Sequence, residues 1–106
     1  MVTENGCGGS DTPAADGAVH DPHRIAYLTI YNAAMRDAMR QGADVRGYFL
    51  WSLLDNFEWG SGYGQRFGIV HVDFATLART PKASFRWYAD LIRAAQSRLD
   101  APVVSF

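Results

Sequence analysis

Three scarcities bound what this 106-residue chain can do. It has one cysteine, Cys7, so no internal disulfide can cross-link its fold. No unbroken apolar run approaches the roughly 20 residues of a membrane span, which points to a soluble chain. Positive charge is not in surplus: ten basic side chains face eleven acidic ones, for a formal charge of -1. Nothing is therefore left over to neutralise a phosphate backbone, and a nucleic-acid partner is not expected. Glutamate is scarcer still, at two of the eleven acidic residues, while nine of the ten basic residues are Arg. Glu is a good helix former that normally decorates exposed helix faces. Glu4 and Glu58 both fall outside the segments that read as helices, so both pose a functional question.

What is present is enough for a packed core. Hydrophobic residues make up 48% and aromatic residues 13% of the chain, and its length suits one domain, residues 1–106, with no second. Met1-Val2-Thr3 reads as the end of a strand running into Glu4-Asn5-Gly6. Residues 7–20, rich in Gly, Asp, Ala and Pro, read as a surface loop. Asp21-Pro22 offers an N-cap and a first-turn proline, and Ile25, Leu28, Asn32, Met35 and Met39 recur at helical spacing as a buried face until Gly42. Val45 to Trp51 reads as a strand buried on both faces. After a Gly-rich irregular stretch, Phe67 to Phe74 reads as a short strand or hairpin arm. Thr80-Pro81 repeats the cap-plus-proline signal for a second amphipathic helix reaching about Arg98.

The resulting βαβα order is the signature of an α/β parallel sheet covered by helices. Two such units leave sheet edges and an apolar face uncovered, whereas a (β/α)₈ barrel needs about 250 residues. A quarter of a barrel, or a chain completed by another chain, fits the arithmetic.

In parallel α/β folds, functional groups cluster where strands end and loops begin. Glu4 ends the first strand. Glu58 follows Trp51 by seven residues, in the loop after the second strand, flanked by Phe57 and Trp59. Two carboxylates beside indole rings suit carbohydrate chemistry, in which aromatic faces cover a sugar ring while carboxylates bind hydroxyls or attack the anomeric carbon. Spacing alone pairs Glu4 and Glu58 as nucleophile and acid. A solvated loop carboxylate and a core tryptophan are the plainer alternatives. His20, His23 and His71 share no metal-ligand spacing with Cys7, and no Gly-Lys-Ser/Thr follows the glycines of residues 60–64, so neither a metal nor a phosphate-bearing cofactor is expected.

Several segments narrow the choice: Thr3-Glu4-Asn5-Gly6; the run from Arg46 through Tyr48-Phe49-Leu50-Trp51-Ser52 to Asn56-Phe57-Glu58-Trp59; Arg66-Phe67-Gly68-Ile69-Val70; and Arg79-Thr80-Pro81-Lys82-Ala83-Ser84 with Trp87-Tyr88. In this order they resemble the C-terminal end of glycoside hydrolase family 1, the family of β-glucosidases and related β-glycosidases. The resemblance implies the C-terminal fragment of a (β/α)₈ TIM barrel: the end of strand seven, helix seven, strand eight and helix eight. It also implies a retaining glycosidase of carbohydrate metabolism in which Glu4 is the catalytic nucleophile. Trp51 would stack on the sugar, Glu58 would accept sugar hydroxyls, Trp59 would donate its indole N–H, and Phe67 would line the pocket.

On Glu58 the two readings differ. The family carries its acid/base in an Asn-Glu-Pro motif at the end of strand four, and no such motif occurs in this chain. The expected partners are a β-glucoside or related β-glycoside, together with the remaining barrel portion or a second copy of the chain. Neither nucleic acid nor membrane is expected, the expected location is cytoplasmic, and the chain alone is expected to be inactive. The competing expectation is a non-catalytic barrel fragment with residual sugar binding, or a truncated reading frame.

Overall fold

The computed structural model describes residues 1–100. They run through β1 (Val2–Asn5), α1 (Pro22–Arg40), β2 (Tyr48–Leu50), a 3₁₀ turn (Trp59–Ser61), β3 (Val70–Val72), β4 (Arg79–Pro81) and α2 (Ala83–Asp100). β1 and β2 pair in parallel, Val2 opposite Tyr48 and Asn5 opposite Leu50, with an irregularity in β1 between them. β3 and β4 form an antiparallel hairpin.

α1 starts and stops where local chemistry dictates. Pro22 occupies its first turn, where the missing N–H costs nothing. At the far end Gly42 takes a φ of +103°. Its N–H donates to the Met39 carbonyl at 3.1 Å, and the Ala43 N–H donates to the Ala38 carbonyl at 3.0 Å. This crossed pair satisfies carbonyls the helix leaves open, and it needs a residue that tolerates left-handed backbone.

The expected cap at Asp21 is not made, because its side chain accepts no backbone N–H of α1's first turn. Its carboxylate serves the other helix instead, with Oδ1 accepting from the Ser84 N–H at 2.9 Å and Oδ2 from the Ser84 hydroxyl at 2.5 Å. The Thr80-Pro81 signal likewise belongs to a strand rather than a helix start. Pro81 pairs with Val70 at the end of β4, an edge position where proline is tolerated. The Lys82 N–H then donates to the Ile69 carbonyl at 2.9 Å, so α2 begins only at Ala83.

The second strand is shorter than its apolar run suggests, and it is not buried on both faces. Tyr48 turns towards α2, its ring centroid 6.4 Å from that of Tyr88, whereas Phe49 is 58% exposed on the other side. Among the described residues, helices cover only one face of this two-stranded sheet. The buried face of α1 is correspondingly short, namely Arg24, Leu28 and Asn32. Met39 is exposed, and Met35 and Met39 line an open groove of about 300 Å³ between the two helices.

The apolar core is small: Val19, Leu28, Ile69, Val70 and Val72. The largest fully buried side chains include Arg24 and Lys82, so much of this interior is ionic. Beyond β2 the backbone runs beside residues 67–70. Ser52 N–H donates to Phe67, Ile69 N–H to Ser52, Val70 N–H to Leu53 and Asp55 N–H to Val70, at 2.8–3.1 Å.

Candidate active site

Glu4 lies near the carboxyl end of β1, where successive side chains alternate between faces. Asn5 points to the helix side: its Nδ2 donates to the Tyr27 hydroxyl at 3.3 Å, and its Oδ1 accepts from the Tyr48 hydroxyl at 2.7 Å. Glu4 is exposed on the opposite side, the side of Phe49 and Trp51. The Asn5 carbonyl accepts from the Trp51 N–H at 2.8 Å, which sets Trp51 beside the Glu4 strand. Gly6 is required for that approach, since a Cβ there would lie 1.8 Å from the Trp51 carbonyl oxygen. The peptide bond between Trp51 and Ser52 is cis.

Trp51 and Glu58 meet directly, with the indole Nε1 donating to Glu58 Oε1 at 3.1 Å. Glu58 opens the 3₁₀ turn. Its N–H donates to the Gly62 carbonyl at 2.7 Å, and its own carbonyl accepts from Ser61 at 2.8 Å. Trp59 follows with a φ of +40° and a side chain 86% exposed. For a bulky residue that backbone is uncommon and is held by its surroundings. Phe67 packs against the loop after Glu4, close enough that a Cβ on Gly8 would sit 3.0 Å from its ring. Trp51, Glu58 and Phe67 are thus drawn towards the Glu4 strand and its following loop, while Trp59 stands out into solvent.

Behind this rim runs a group of residues that sequence reasoning missed. Arg24 Nη1 bridges Asp21 Oδ2 at 2.6 Å and Asp11 Oδ2 at 2.7 Å. Lys82 Nζ bridges the same Asp11 oxygen at 2.6 Å and Asp55 Oδ1 at 2.8 Å. Arg66 Nη1 completes the chain on Asp55 Oδ2 at 2.7 Å. Three carboxylates and three cations therefore alternate through the interior. Burial alone would raise the Asp55 carboxyl, but hydrogen bonds from Lys82 and Arg66 outweigh it and hold the group below its ordinary range. Arg66 also stacks on Phe74, its guanidinium carbon 4.4 Å from the ring centroid. The one local hint in the sequence was Lys82 itself, the only lysine among ten basic residues.

Cys7 is half-buried in the loop after Glu4. Burial pushes its thiol up, against the pull of nearby Arg24, so it stays protonated and poorly nucleophilic. Among the described residues no three His, Cys, Asp or Glu side chains come together as a metal cluster, and no helix is long and apolar enough to cross a membrane.

Comparison with known proteins bears on the whole of this arrangement. The profile of "Glycosyl hydrolase family 1" matches residues 1–97. The chain is 53% identical over 93 residues to thermostable β-glucosidase B of Thermobispora bispora, covering 88% of this chain and 19% of that protein. It is 48% identical over 90 residues to a 6-phospho-β-galactosidase of Streptococcus equi subsp. zooepidemicus, covering 85% and 19%. Its fold matches the family 1 β-glucosidase from Thermotoga maritima with a TM-score of 0.84 at 47% identity, over 86% of this chain and 20% of that one. The chain spans about a fifth of the length of the relatives it matches. Two β/α units, parallel strands with helices on one side and a rim bearing two glutamates at their carboxyl ends, are accordingly part of a (β/α)₈ barrel, and the chain belongs to glycosyl hydrolase family 1.

Proposed function

We propose that these 106 residues, as part of one barrel domain, supply the nucleophile and part of the sugar-binding surface of a retaining β-glycosidase of the β-glucosidase type. The observation that carries this reading is the bonded line from β1 to the rim: Asn5 to the Trp51 backbone, and the Trp51 indole to Glu58. It draws one exposed carboxylate at a strand end towards an indole and a second carboxylate.

In the first step the Glu4 carboxylate attacks the anomeric carbon. The glycosidic C–O bond breaks, and the leaving alcohol takes a proton from a general acid outside these residues, where no Asn-Glu-Pro occurs. In the second step water, deprotonated by the same group, attacks the anomeric carbon of the glycosyl–Glu4 ester, and the bond from that carbon to Glu4 breaks to free the carboxylate. Trp51 offers its ring face to the sugar, and Phe67 closes one wall. Glu58, with Oε1 held by the indole, keeps Oε2 for a sugar hydroxyl, and Trp59 presents its N–H from solvent. The substrate class is a β-glucoside or related β-glycoside. The relatives include both glucosidases and a 6-phospho-β-galactosidase, a range of glycones that one family fold serves.

The test joins this chain to the remaining four fifths of the Thermotoga maritima β-glucosidase and assays β-glucoside hydrolysis. Glu4→Gly should lower turnover by on the order of 10⁴–10⁶-fold, and added azide should restore it with an α-glycosyl azide as product. The 106-residue chain assayed alone should show no turnover of alkyl β-glucosides. Azide rescue of Glu58→Ala but not of Glu4→Gly would reverse the two roles.

A further inference from the structure

We propose that Lys82 is a positioning residue of the sugar site: its buried ammonium, shared between Asp11 and Asp55, sets the separation between the loop that follows Glu4 and the segment that presents Glu58 and Phe67. This deepens the glycosidase reading and rests on it for the identity of the site.

Lys82 is fully buried at the junction of β4 and α2, and its side chain joins two segments with no sequence proximity. Asp11 belongs to the loop that leaves Glu4. Asp55 lies between Trp51 and Glu58, and its Oδ1 also accepts the Gly68 N–H at 3.0 Å, next to Phe67. The same two segments meet through backbone. Gly9 N–H donates to the Arg66 carbonyl at 3.0 Å, and Arg66 N–H returns to Gly9 at 2.8 Å. Arg24 adds Nη2 bonds to the Cys7 and Arg66 carbonyls at 3.1 and 2.7 Å. The ammonium is the link that runs through charge.

Stability alone is a poor account of this device. A buried ion pair is often no more stabilising than well-packed apolar residues of the same volume. Asp11, moreover, holds a φ of +47°, and among the described residues its buried Oδ1 has no hydrogen-bond partner, the His23 Nε2 standing off at 3.6 Å. A strained and incompletely satisfied residue at the centre of the chain is what results when two loops must stand at a set distance. Short charge-assisted bonds resist that distance changing in either direction.

The test uses the joined barrel carrying Lys82→Met with Asp11→Asn. This double variant leaves Asp21 paired with Arg24 and Asp55 paired with Arg66, so no uncompensated charge is buried. Active sites are counted by covalent trapping with an activated 2-deoxy-2-fluoro-β-glucoside, and turnover is expressed per trapped site. Amide hydrogen exchange is followed in residues 7–11 and 55–67, with α1 as the internal reference. Turnover per site should fall roughly tenfold to hundredfold, as small misplacements of reacting groups do, and both segments should exchange faster while α1 does not. Unchanged turnover per trapped site would overturn the proposal, whatever the yield of folded protein. If the parent barrel is itself inactive, the glycosidase reading falls and exchange alone decides: faster exchange in both segments supports the link, and unchanged exchange overturns it.

Discussion

The two kinds of carboxylate in this chain occupy different regions and make opposite use of the same chemical group. Glu4 and Glu58 stand at the rim, Glu4 exposed and Glu58 held through one oxygen by an indole. Asp11, Asp21 and Asp55 lie in the interior behind them, exposed by 5%, 0% and 4%, each between two cationic groups or between a cation and helix or strand amides. A carboxylate whose lone pairs are committed to internal cations has nothing to offer a sugar hydroxyl. The difference teaches that the aspartates tie the segments together, which on the proposed function leaves the glutamates free to act on a sugar.

That division can be broken most forcefully by exchanging consequences. Asp55→Ala leaves Lys82 and Arg66 facing one another across an apolar gap. It should destabilise the joined barrel by about 3–5 kcal/mol, measured as a lower urea midpoint. Glu58→Ala should leave that midpoint nearly unchanged yet reduce kcat/KM by the loss of charged sugar hydrogen bonds, each about 1.5–3 kcal/mol in the transition state. If Glu58→Ala unfolds the protein while Asp55→Ala only slows it, the division is wrong.

Acid should sharpen the comparison in two stages. Burial, followed by the neighbouring Arg66 charge, pulls His71 below its ordinary 6.5, so the fold prefers the neutral ring. The unfolded chain binds that proton more readily. The contribution of His71 is therefore present above pH 6.5 and is lost as pH falls through the lower folded value. Asp55, held below its ordinary 3.8, contributes above that value and loses its contribution on further acidification. The urea midpoint measured against pH should thus fall first below about 6.5 and again below about 4. Replacing His71 with Gln should remove only the first step. The smallest effect belongs to the most exposed ring, for Trp59→Ala should change stability by less than about 0.5 kcal/mol, seen as an unshifted thermal midpoint.

The sequence was most legible where a local rule decides the outcome. Pro22 and Gly42 bracket α1 because proline suits a first turn and glycine a left-handed close. Glu4 and Glu58 stood out because glutamate is rare here and both lie off the helices. Thr80-Pro81 misled because the same dipeptide fits a helix start and an edge strand, and the deciding contact, Val70 with Pro81, is not local. The ion chain was illegible for the same reason in stronger form. Asp11 and Lys82 are 71 positions apart, and no periodicity links a loop aspartate to a lysine before a helix. Asp21 was legible as a cap, but not as the cap of a helix more than sixty residues away.

Every member of that chain of charges, from Asp11 to Lys82, lies within these residues. Among the described residues the set is balanced, three acids against three bases, and this has a bearing on how barrels of the family can exchange parts. A crossover between Arg24 and Asp55 parts the buried Asp11–Lys82 pair, leaving Asp11 to Arg24 alone and Lys82 to Asp55 alone. One placed ahead of Asp11 carries the whole set across intact, together with the Gly9–Arg66 clasp if it also precedes Gly9. The stretch from that loop to the start of α2 is thus the natural unit of inheritance for this half of the site, and shuffled libraries should recover it uncut.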